Sequence, residues 1–171
     1  CYSVGIGVET GNEKMLKAIK KGITLKQVEK VVKLCKKIKL DVRTYFILGH
    51  PNETFKTAID TIKFAARLRP NYTVFGIMVP YPKTGIAKMA ERMEGGYKLL
   101  SNDWSDFDKH LGNSLELENL SRKQLELLQM WGYVYFYLRN LYFREFFIFI
   151  NTHKIAIYNM FKKFLKPVKS L

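Results

Sequence analysis

The chain has 171 residues, the length of one domain with room for a helical extension, since domains usually hold about 100 to 200 residues. An apolar share of 47% and a charged share of 26% are ordinary for globular proteins and exclude a disordered or collagen-like chain. Lys and Arg number 29 against 15 Asp and Glu, so the formal net charge is +14. This excess raises the hypothesis of an anionic partner, either nucleic acid or a membrane surface.

The positive charge is concentrated in two stretches. Residues 14–39 contain ten Lys and one Glu, and the final stretch carries Lys154, Lys162, Lys163, Lys166 and Lys169. Neither stretch coincides with the predicted site described below, so the charge does not identify a substrate and no specific nucleic acid is expected. The two cysteines, Cys1 and Cys35, are too few for a disulfide scaffold and lack metal-ligand spacing, which favours a cytoplasmic setting.

Apolar stretches predict three β-strands, at Tyr2 to Val8, Asp41 to Leu48 and Tyr72 to Val79. In the segments between the strands, apolar residues recur at helical spacing. These segments predict a short helix capped by Asn12, a helix that begins at the Thr24/Gln27 capping box, and a helix from about Phe55 to Arg69. This alternation predicts an α/β fold with a parallel sheet and right-handed crossovers. Because the chain opens on a strand and three strands leave a bare edge, we expect further strands to precede it in a longer protein.

The predicted strand pattern ends near residue 93. Residues 94–120 are predicted to be irregular, and the capping box of Ser121 and Gln124 opens a long helix in the extension 121–171. Charged residues interrupt the apolar run that follows, so it is not expected to span a membrane. A last amphipathic stretch is expected to pack on the domain, meet a partner or lie at a membrane surface; its apolar residues are Ile155, Ile157, Tyr158, Phe161, Phe164 and Leu165.

Polar and glycine-rich segments follow each predicted strand, at residues 9–11, 49–54 and 80–85. In parallel α/β folds the carboxyl ends of the strands are where ligands bind. Glycine allows a ligand to approach the backbone, and a carboxylate such as that of Glu9 accepts hydrogen bonds from paired hydroxyls. The sequence therefore predicts a ligand site at this edge of the sheet.

The same segments resemble motifs of the radical S-adenosylmethionine enzymes. The stretch Gly5 to Asn12 with Leu16 to Thr24 resembles the fourth-strand pattern of that superfamily, Phe46 to Thr54 resembles the fifth-strand element, and Val79 to Gly85 resembles the sixth-strand element. The aromatic tail is similar to tails in the branch that has an upstream cobalamin-binding domain. The resemblance implies that residues 1–93 are the C-terminal half of a partial (β/α)6 TIM-like barrel, followed by a helical tail.

The resemblance implies an enzyme that cleaves S-adenosylmethionine reductively to a 5'-deoxyadenosyl radical. It also implies a 4Fe-4S cluster bound by a CxxxCxxC loop upstream of this chain, and cobalamin as a cofactor of the full-length protein. The partners implied are the N-terminal half of the barrel and a small-molecule or lipid-like substrate. We expect this chain to be inactive alone.

The resemblance assigns cofactor contacts residue by residue. Glu9, followed by Thr10, would accept hydrogen bonds from the ribose of S-adenosylmethionine, and Arg43 would pair with its carboxylate. Gly49 and Pro51 would shape the turn beside the adenine, whose edge would meet the backbone of Val79, Pro80 and Tyr81. No catalytic residue and no metal ligand are assigned within the chain. Asn52 and Lys83 depart from the superfamily pattern, which usually has glycine at both positions.

Other interpretations stay open from the sequence. Glu9 could instead cap a helix or pair with a lysine, Arg43 could point outward from an alternating strand, and both His50 and Glu53 are predicted to be structural. At the level of the protein, the alternatives are a phosphate- or nucleotide-binding α/β barrel and a noncatalytic basic module that binds RNA or lipid.

Overall fold

A computed structural model describes residues 1–108, 110, 112–155, 157–158 and 162. The first part of this region alternates strands and helices: β1 Ser3–Glu9, α1 Glu13–Ala18, α2 Leu25–Lys37, β2 Asp41–Leu48, α3 Phe55–Leu68, β3 Tyr72–Ile77 and α4 Gly85–Glu91. The second part contains β4 Tyr97–Leu99, β5 Leu115–Leu117, α5 Arg122–Arg139 and α6 Phe143–Thr152. The three predicted strands and the predicted helices between them are present, and the ends predicted for the strands and for α3 differ by at most two residues. The long helix predicted after Ser121 is divided into α5 and α6, because Leu141 has a left-handed backbone, with φ of 59°.

Capping boxes begin three of the helices. Thr24 caps α2 and Ser121 caps α5, each paired with the Gln three residues later, as the sequence predicts. Thr54 caps α3 in the same way, but its partner is Thr57, whose hydroxyl accepts the amide hydrogen bond of Thr54. Each box satisfies amides that a helix start leaves without intrahelical partners.

The three long strands form one parallel sheet in the order β1, β2, β3. In β2 the side chains of Val42, Thr44, Phe46 and Leu48 are buried in the core, while Arg43 and Tyr45 are exposed. Helices α2 and α3 pack on the buried face. The mixed α/β fold with a parallel sheet predicted from the sequence is confirmed, and the side of the sheet that carries Arg43 and Tyr45 is called the open face below.

The two edges of this sheet differ. Along β3, helix α5 supplies the hydrogen bonds that a further strand would make: Gln129 Nε2 donates to Phe75 O at 2.6 Å and Phe75 N donates to Tyr133 Oη at 3.1 Å. The outer edge of β1 has no strand beside it within the described part of the chain. An unpaired edge of this kind can accept another strand.

Residues 94–120 contain more structure than the sequence predicts. Strands β4 and β5 pair antiparallel, with Tyr97 opposite Leu117, and the side chain of Tyr97 is 1% exposed. The Tyr97 hydroxyl donates to Gly49 O at 3.0 Å, so this ladder is attached to the end of β2.

The C-terminal extension begins with α5 and α6. Neither these nor the other described helices combine the length and apolar content that crossing a bilayer requires. Part of the amphipathic stretch predicted at the end of the chain, namely Phe161, Phe164 and Leu165, lies outside the described residues.

Candidate functional site

The carboxyl ends of β1, β2 and β3 lie side by side. Glu9 stands in register with Phe46, and Leu48 with Ile77. The turn after β2 contacts the end of β1, because His50 Nε2 lies 3.4 Å from Glu9 O. The turn after β3 is attached to β2 by the hydrogen bond from Met78 N to Leu48 O, at 2.8 Å. The structure thus brings together the three polar segments that the sequence predicts at this edge.

The first turn is anchored on α3. Thr10 is fully buried, and its Oγ1 lies 3.0 Å from Thr61 Oγ1. Gly11 N donates to the same Thr61 oxygen at 3.0 Å, and Asn12 Nδ2 donates to Asp60 Oδ2 at 3.0 Å. The Thr10 hydroxyl therefore contacts a helix, and it contributes to the site by fixing the end of β1.

Glu9 closes β1 at a bulge and has a left-handed backbone, with φ of 72°. Its carboxylate Oε1 accepts a hydrogen bond and ion pair from Lys21 Nζ at 2.7 Å. The lysine pairing considered from the sequence is thus present. No described residue donates a hydrogen bond to the second oxygen, Oε2, so the carboxylate has a free acceptor.

The second turn is held by Glu53. Its Oε2 accepts hydrogen bonds from Gly49 N and His50 N, and the side chain is 1% exposed. Within the described part of the chain, the other oxygen, Oε1, has no hydrogen-bond partner. Burial raises the pKa of the Glu53 carboxyl to about 7, against the lowering effect of the two amides. The structural role predicted for Glu53 is present, although its contacts are with the turn amides.

His50 is buried in the same turn, with 4% exposure. Burial lowers the pKa of the imidazole, and the nearby carbonyl and carboxylate of Glu9 oppose that shift only in part. His50 is therefore neutral near pH 7 and packs between the ends of β1 and β2. This placement agrees with the structural role predicted for it.

The third turn presents Tyr81. Val79 and Pro80 are buried, whereas Tyr81 is 46% exposed and its ring contacts that of Phe107 edge to face. Tyr81 N donates to Val79 O at 3.0 Å, and Thr84 Oγ1 donates to Tyr81 O at 2.6 Å. The backbone of this turn is fixed, while the Tyr81 ring is available to a ligand.

The two departures from the superfamily pattern both occupy left-handed backbone. The φ angles are 59° for Asn52 and 67° for Lys83. Glycine adopts this region without steric cost, which explains physically why it is usual at these positions. Asn tolerates the region through local hydrogen bonds, whereas Lys gains no such compensation.

We expect Lys83→Gly to raise the free energy of unfolding by about 0.5 kcal/mol, because removing Cβ relieves the left-handed strain but adds chain entropy. Urea denaturation of the two proteins measures the change. Lys88→Gly is the matched control, because Lys88 lies inside α4 and glycine there should lower stability by about 1 kcal/mol. A loss of stability in both variants would contradict the prediction.

Arg43 lies apart from the strand-end segments. It stands in register with Gly5 and Tyr72, three residues before the position opposite Glu9, or roughly 10 Å along the strand. Its guanidinium lies over the Tyr72 ring, 5.4 Å from the centroid. The structure therefore places Arg43 on the open face and does not bring it to the group formed by the other predicted residues.

Two residues of the site were not predicted from the sequence. Lys21 lies in the stretch Leu16 to Thr24 that carries the family resemblance, but the resemblance assigns it no contact, and only the fold brings its ammonium to Glu9. Tyr97 lies in the stretch predicted to be irregular, 48 residues from the carbonyl of Gly49 to which it donates. No local pattern indicates either contact.

Comparison with known proteins gives matches over the same segments. The family model described as the radical SAM superfamily matches residues 2–65. An uncharacterised methyltransferase of Pyrococcus horikoshii is 34% identical over 139 residues, which are 81% of this chain and 29% of that protein. The bacteriochlorophyllide d C-12(1)-methyltransferase of Chlorobaculum tepidum is 30% identical over 137 residues, covering 74% of this chain and 29% of that protein.

A further relative has a different kind of name. The tRNA-2-methylthio-N(6)-dimethylallyladenosine synthase of Buchnera aphidicola subsp. Cinara cedri is 31% identical over 88 residues, 50% of this chain and 20% of that protein. The chain thus spans less than a third of the length of each of these three relatives. Residues 2–65, which the family model matches, contain Glu9 and the turn from Gly49 to Glu53. Residues 2–65 of the chain belong to the radical S-adenosylmethionine superfamily.

Proposed function

We propose that this chain supplies S-adenosylmethionine-binding strand ends to a radical enzyme that cleaves the cofactor reductively to a 5'-deoxyadenosyl radical. In this proposal residues 1–93 form the C-terminal half of a partial six-stranded barrel, residues 94–120 connect it to the extension, and residues 121–171 form that extension. The chain alone does not carry out the cleavage. The protein is cytoplasmic, either free or in peripheral contact with a membrane.

The observation that carries the proposal is the Glu9 carboxylate and its surroundings. Lys21 holds Oε1, and Oε2 stays available to a ribose hydroxyl. The glycines of β1 make room for this arrangement: a Cβ at Gly7 would lie 2.9 Å from Glu9 Oε1, and one at Gly5 would lie 3.1 Å from the Tyr45 ring. The residues present therefore fit a hydroxyl-bearing ligand lying against the open face.

The two neighbouring turns supply the rest of the proposed site. The turn of Gly49 and Pro51 is held by Glu53 and by the Tyr97 hydroxyl. The backbone of Val79 to Tyr81 is fixed by its own hydrogen bonds. Rigid backbone of this kind positions a ligand without further ordering cost.

The iron-sulfur cluster does not fit the residues present. The described residues contain no group of three His, Cys, Asp or Glu side chains able to hold a metal ion; Cys1 is exposed and Cys35 is half-buried on α2. The proposal therefore assigns the cluster ligands to a segment of the protein that precedes these strands. Bound by such a segment, the cluster would supply the electron for cleavage. Cobalamin, suggested by the resemblance alone, stays a prediction.

The surfaces on the β1 side support a preceding half of the barrel. The outer edge of β1 is unpaired, and the flank of α2 on that side exposes Val31, Leu34 and Ile38, by 44%, 52% and 72%. The opposite flank of α2 faces α3, through the ion pair of Glu29 and Arg67. A strand beside β1 and its helix beside α2 would cover both surfaces.

We expect Glu9→Gln to weaken S-adenosylmethionine binding at least about tenfold, because the amide loses the charge that Lys21 holds and one strong acceptor. The measurement is calorimetric titration of a longer form of the protein that includes the preceding segment. Glu29→Gln is the control, because Glu29 is an exposed carboxylate on α2 that pairs with Arg67.

Reconstitution with iron and sulfide tests the reaction itself. We expect the longer protein to yield 5'-deoxyadenosine and this chain alone to yield none. Equal affinities of wild type and Glu9→Gln would contradict the site, and absence of 5'-deoxyadenosine from the longer protein would contradict the reaction. Tight binding of inorganic phosphate in place of S-adenosylmethionine would favour the phosphate-binding alternative.

A further inference from the structure

A cavity of about 910 Å³ lies between the open face of the sheet and the helices of the extension. Its floor is formed by β2 and β3, through Arg43, Tyr45, Tyr72 and Val74, and its walls by α5 and α6. We call this space the chamber. Its volume is at the upper end of the range found for ligand pockets, roughly 300 to 1,000 Å³, so it has room for a large small molecule.

The walls of the chamber are mainly rings. Tyr133 and Phe149 stack with centroids 4.7 Å apart, and Tyr137 contacts Phe149 at 5.5 Å. The Tyr133 hydroxyl is already hydrogen-bonded to the backbone of Phe75, so Tyr133 offers the chamber its ring. Burial raises the pKa of Tyr133 from its ordinary value of 10 to about 12, and the phenol is uncharged near pH 7 at either value. Walls of this kind favour flat apolar ligands, which they contact over a large area.

The polar and charged side chains that line the chamber differ in how far the protein already engages them. Asp108 and His110 line it and are hydrogen-bonded there: His110 N donates to Asp108 Oδ1 at 2.7 Å, and His110 Nδ1 lies 3.1 Å from Gln129 Nε2, which also lines the chamber. Glu145 lies in the first turn of α6, where a negative charge is favourable to the helix dipole. Arg43 forms no ion pair with any described residue, and its guanidinium lies over the Tyr72 ring, 5.4 Å from the centroid. A guanidinium in this position can bind a carboxylate through two parallel hydrogen bonds.

The chamber adjoins the proposed cofactor site. Tyr45 lines the chamber, stands opposite Gly7 in the sheet and packs against Gly5. The Glu9 carboxylate lies over Gly7 on the same open face. A molecule in the chamber would therefore lie beside the region where the cofactor is proposed to bind.

We propose that the chamber is the substrate site, and that its ligand is a large, flat, apolar molecule with a carboxylate that Arg43 binds. This inference rests on the proposed function, because the chamber holds a substrate only if a radical formed at the neighbouring cofactor site acts on its ligand. It assigns Arg43 to the substrate in place of the cofactor. The rings supply most of the contact area, and Arg43 supplies the selection between acidic and neutral ligands.

Two fluorescent probes that differ only in charge test the chamber. The acidic probe is 1-pyrenebutyrate and the neutral one is 1-pyrenebutanol, with binding followed by fluorescence anisotropy on the intact chain. We expect one molecule of pyrenebutyrate to bind per chain, about tenfold more tightly than pyrenebutanol. Arg43→Gln should abolish this preference, while Arg139→Gln, at an exposed position on α5 outside the chamber, should keep it.

A second variant tests the volume of the chamber. Val134 lies on the wall formed by α5, and Val134→Trp should fill the space and weaken both probes about tenfold or more. If circular dichroism shows that this variant is unfolded, Met130→Trp places the same ring on the same wall.

Three results would overturn the inference: equal binding of the two probes by the wild type, unchanged binding in a folded Trp variant, or binding only after removal of residues 159–171. The last result would mean that the end of the chain itself occupies the chamber. Probe binding is measured without S-adenosylmethionine or a cluster. Failure to detect 5'-deoxyadenosine therefore leaves this result standing, and the two failures are distinguishable.

Discussion

We expect Gly11→Ala to lower the free energy of unfolding by about 3 kcal/mol, because there is no space for a methyl group at this position. A Cβ at residue 11 would lie 2.5 Å from Phe64 Cβ and 2.7 Å from Thr61 Cα. These atoms belong to or adjoin the backbone of α3, so no flexible side-chain end can move aside. The end of β1 and α3 would have to separate, and urea denaturation measures the cost.

Gly85→Ala is the matched control for this substitution. Gly85 is the first residue of α4, and a Cβ there would meet no atom within 4 Å. Alanine should leave stability equal or raise it by up to about 1 kcal/mol, because glycine loses more chain entropy in a helix. A difference in stability of less than about 0.5 kcal/mol between Gly11→Ala and Gly85→Ala would contradict close packing at Gly11.

The local signals in the sequence predicted much of the fold. Capping boxes at Thr24 and Ser121 depend on two side chains three residues apart, so both the start and the type of the helix are readable. The three strands are short apolar runs bounded by turns, and their order follows from the helices between them. Because the carboxyl ends of parallel strands meet at one edge, the gathering of Glu9, the Gly49 turn and the Val79 turn was also predictable.

Contacts between distant residues were not predictable. Strands β4 and β5 have three residues each, too few for a periodic pattern, and they are stable because Tyr97 and its neighbours are buried beside the end of β2. The chamber depends on α5 lying along β3, through hydrogen bonds that join Phe75 to residues 54 and 58 positions away. Nothing near Gln129 or Tyr133 in the sequence indicates this pairing.

The placement of Arg43 illustrates the limit of a motif. The resemblance links it to the carboxylate of the cofactor, but only the register of β2 locates it along the strand. The alternation of buried and exposed residues in β2 sends Thr44 to the core and Arg43 to the open face. Arg43 lies three residues before the residue of β2 that stands opposite Glu9, and at that level it lines the chamber.

The lysines of the basic stretch at residues 14–39 also differ in role according to where the fold places them. Most of the lysines of α2 are exposed on the outside of the helix and take no part in the site. Lys21 is different, because the turn after α1 brings its ammonium to Glu9. One lysine from the basic stretch thus contributes to the proposed cofactor site, while the others describe the surface of the protein.

We expect the stability of the protein to fall by about 3 kcal/mol between pH 4.5 and pH 7 because of Glu53 alone. The carboxyl has a pKa of about 7 in the folded protein, raised by burial from its ordinary value of 4.5. Below pH 4.5 both folded and unfolded chains hold the proton, and the stabilising contribution is complete. As the pH rises, the unfolded chain ionises first, so the contribution is lost and is gone above pH 7.

Glu53→Gln isolates this effect, because its amide oxygen can still accept from Gly49 N and His50 N but carries no titrating proton. The free energy of unfolding, from urea titrations at several pH values, should lose the Glu53 slope in this variant. Burial lowers the pKa of His50, so its own contribution falls as the pH drops below 6.5, in the opposite sense. Both proteins keep His50, so its contribution cancels when one curve of unfolding free energy is subtracted from the other. Glu91→Gln, at an exposed position on α4, should follow the wild type. Parallel curves for wild type and Glu53→Gln would contradict the prediction, because they would show that folding leaves the pKa of Glu53 unshifted.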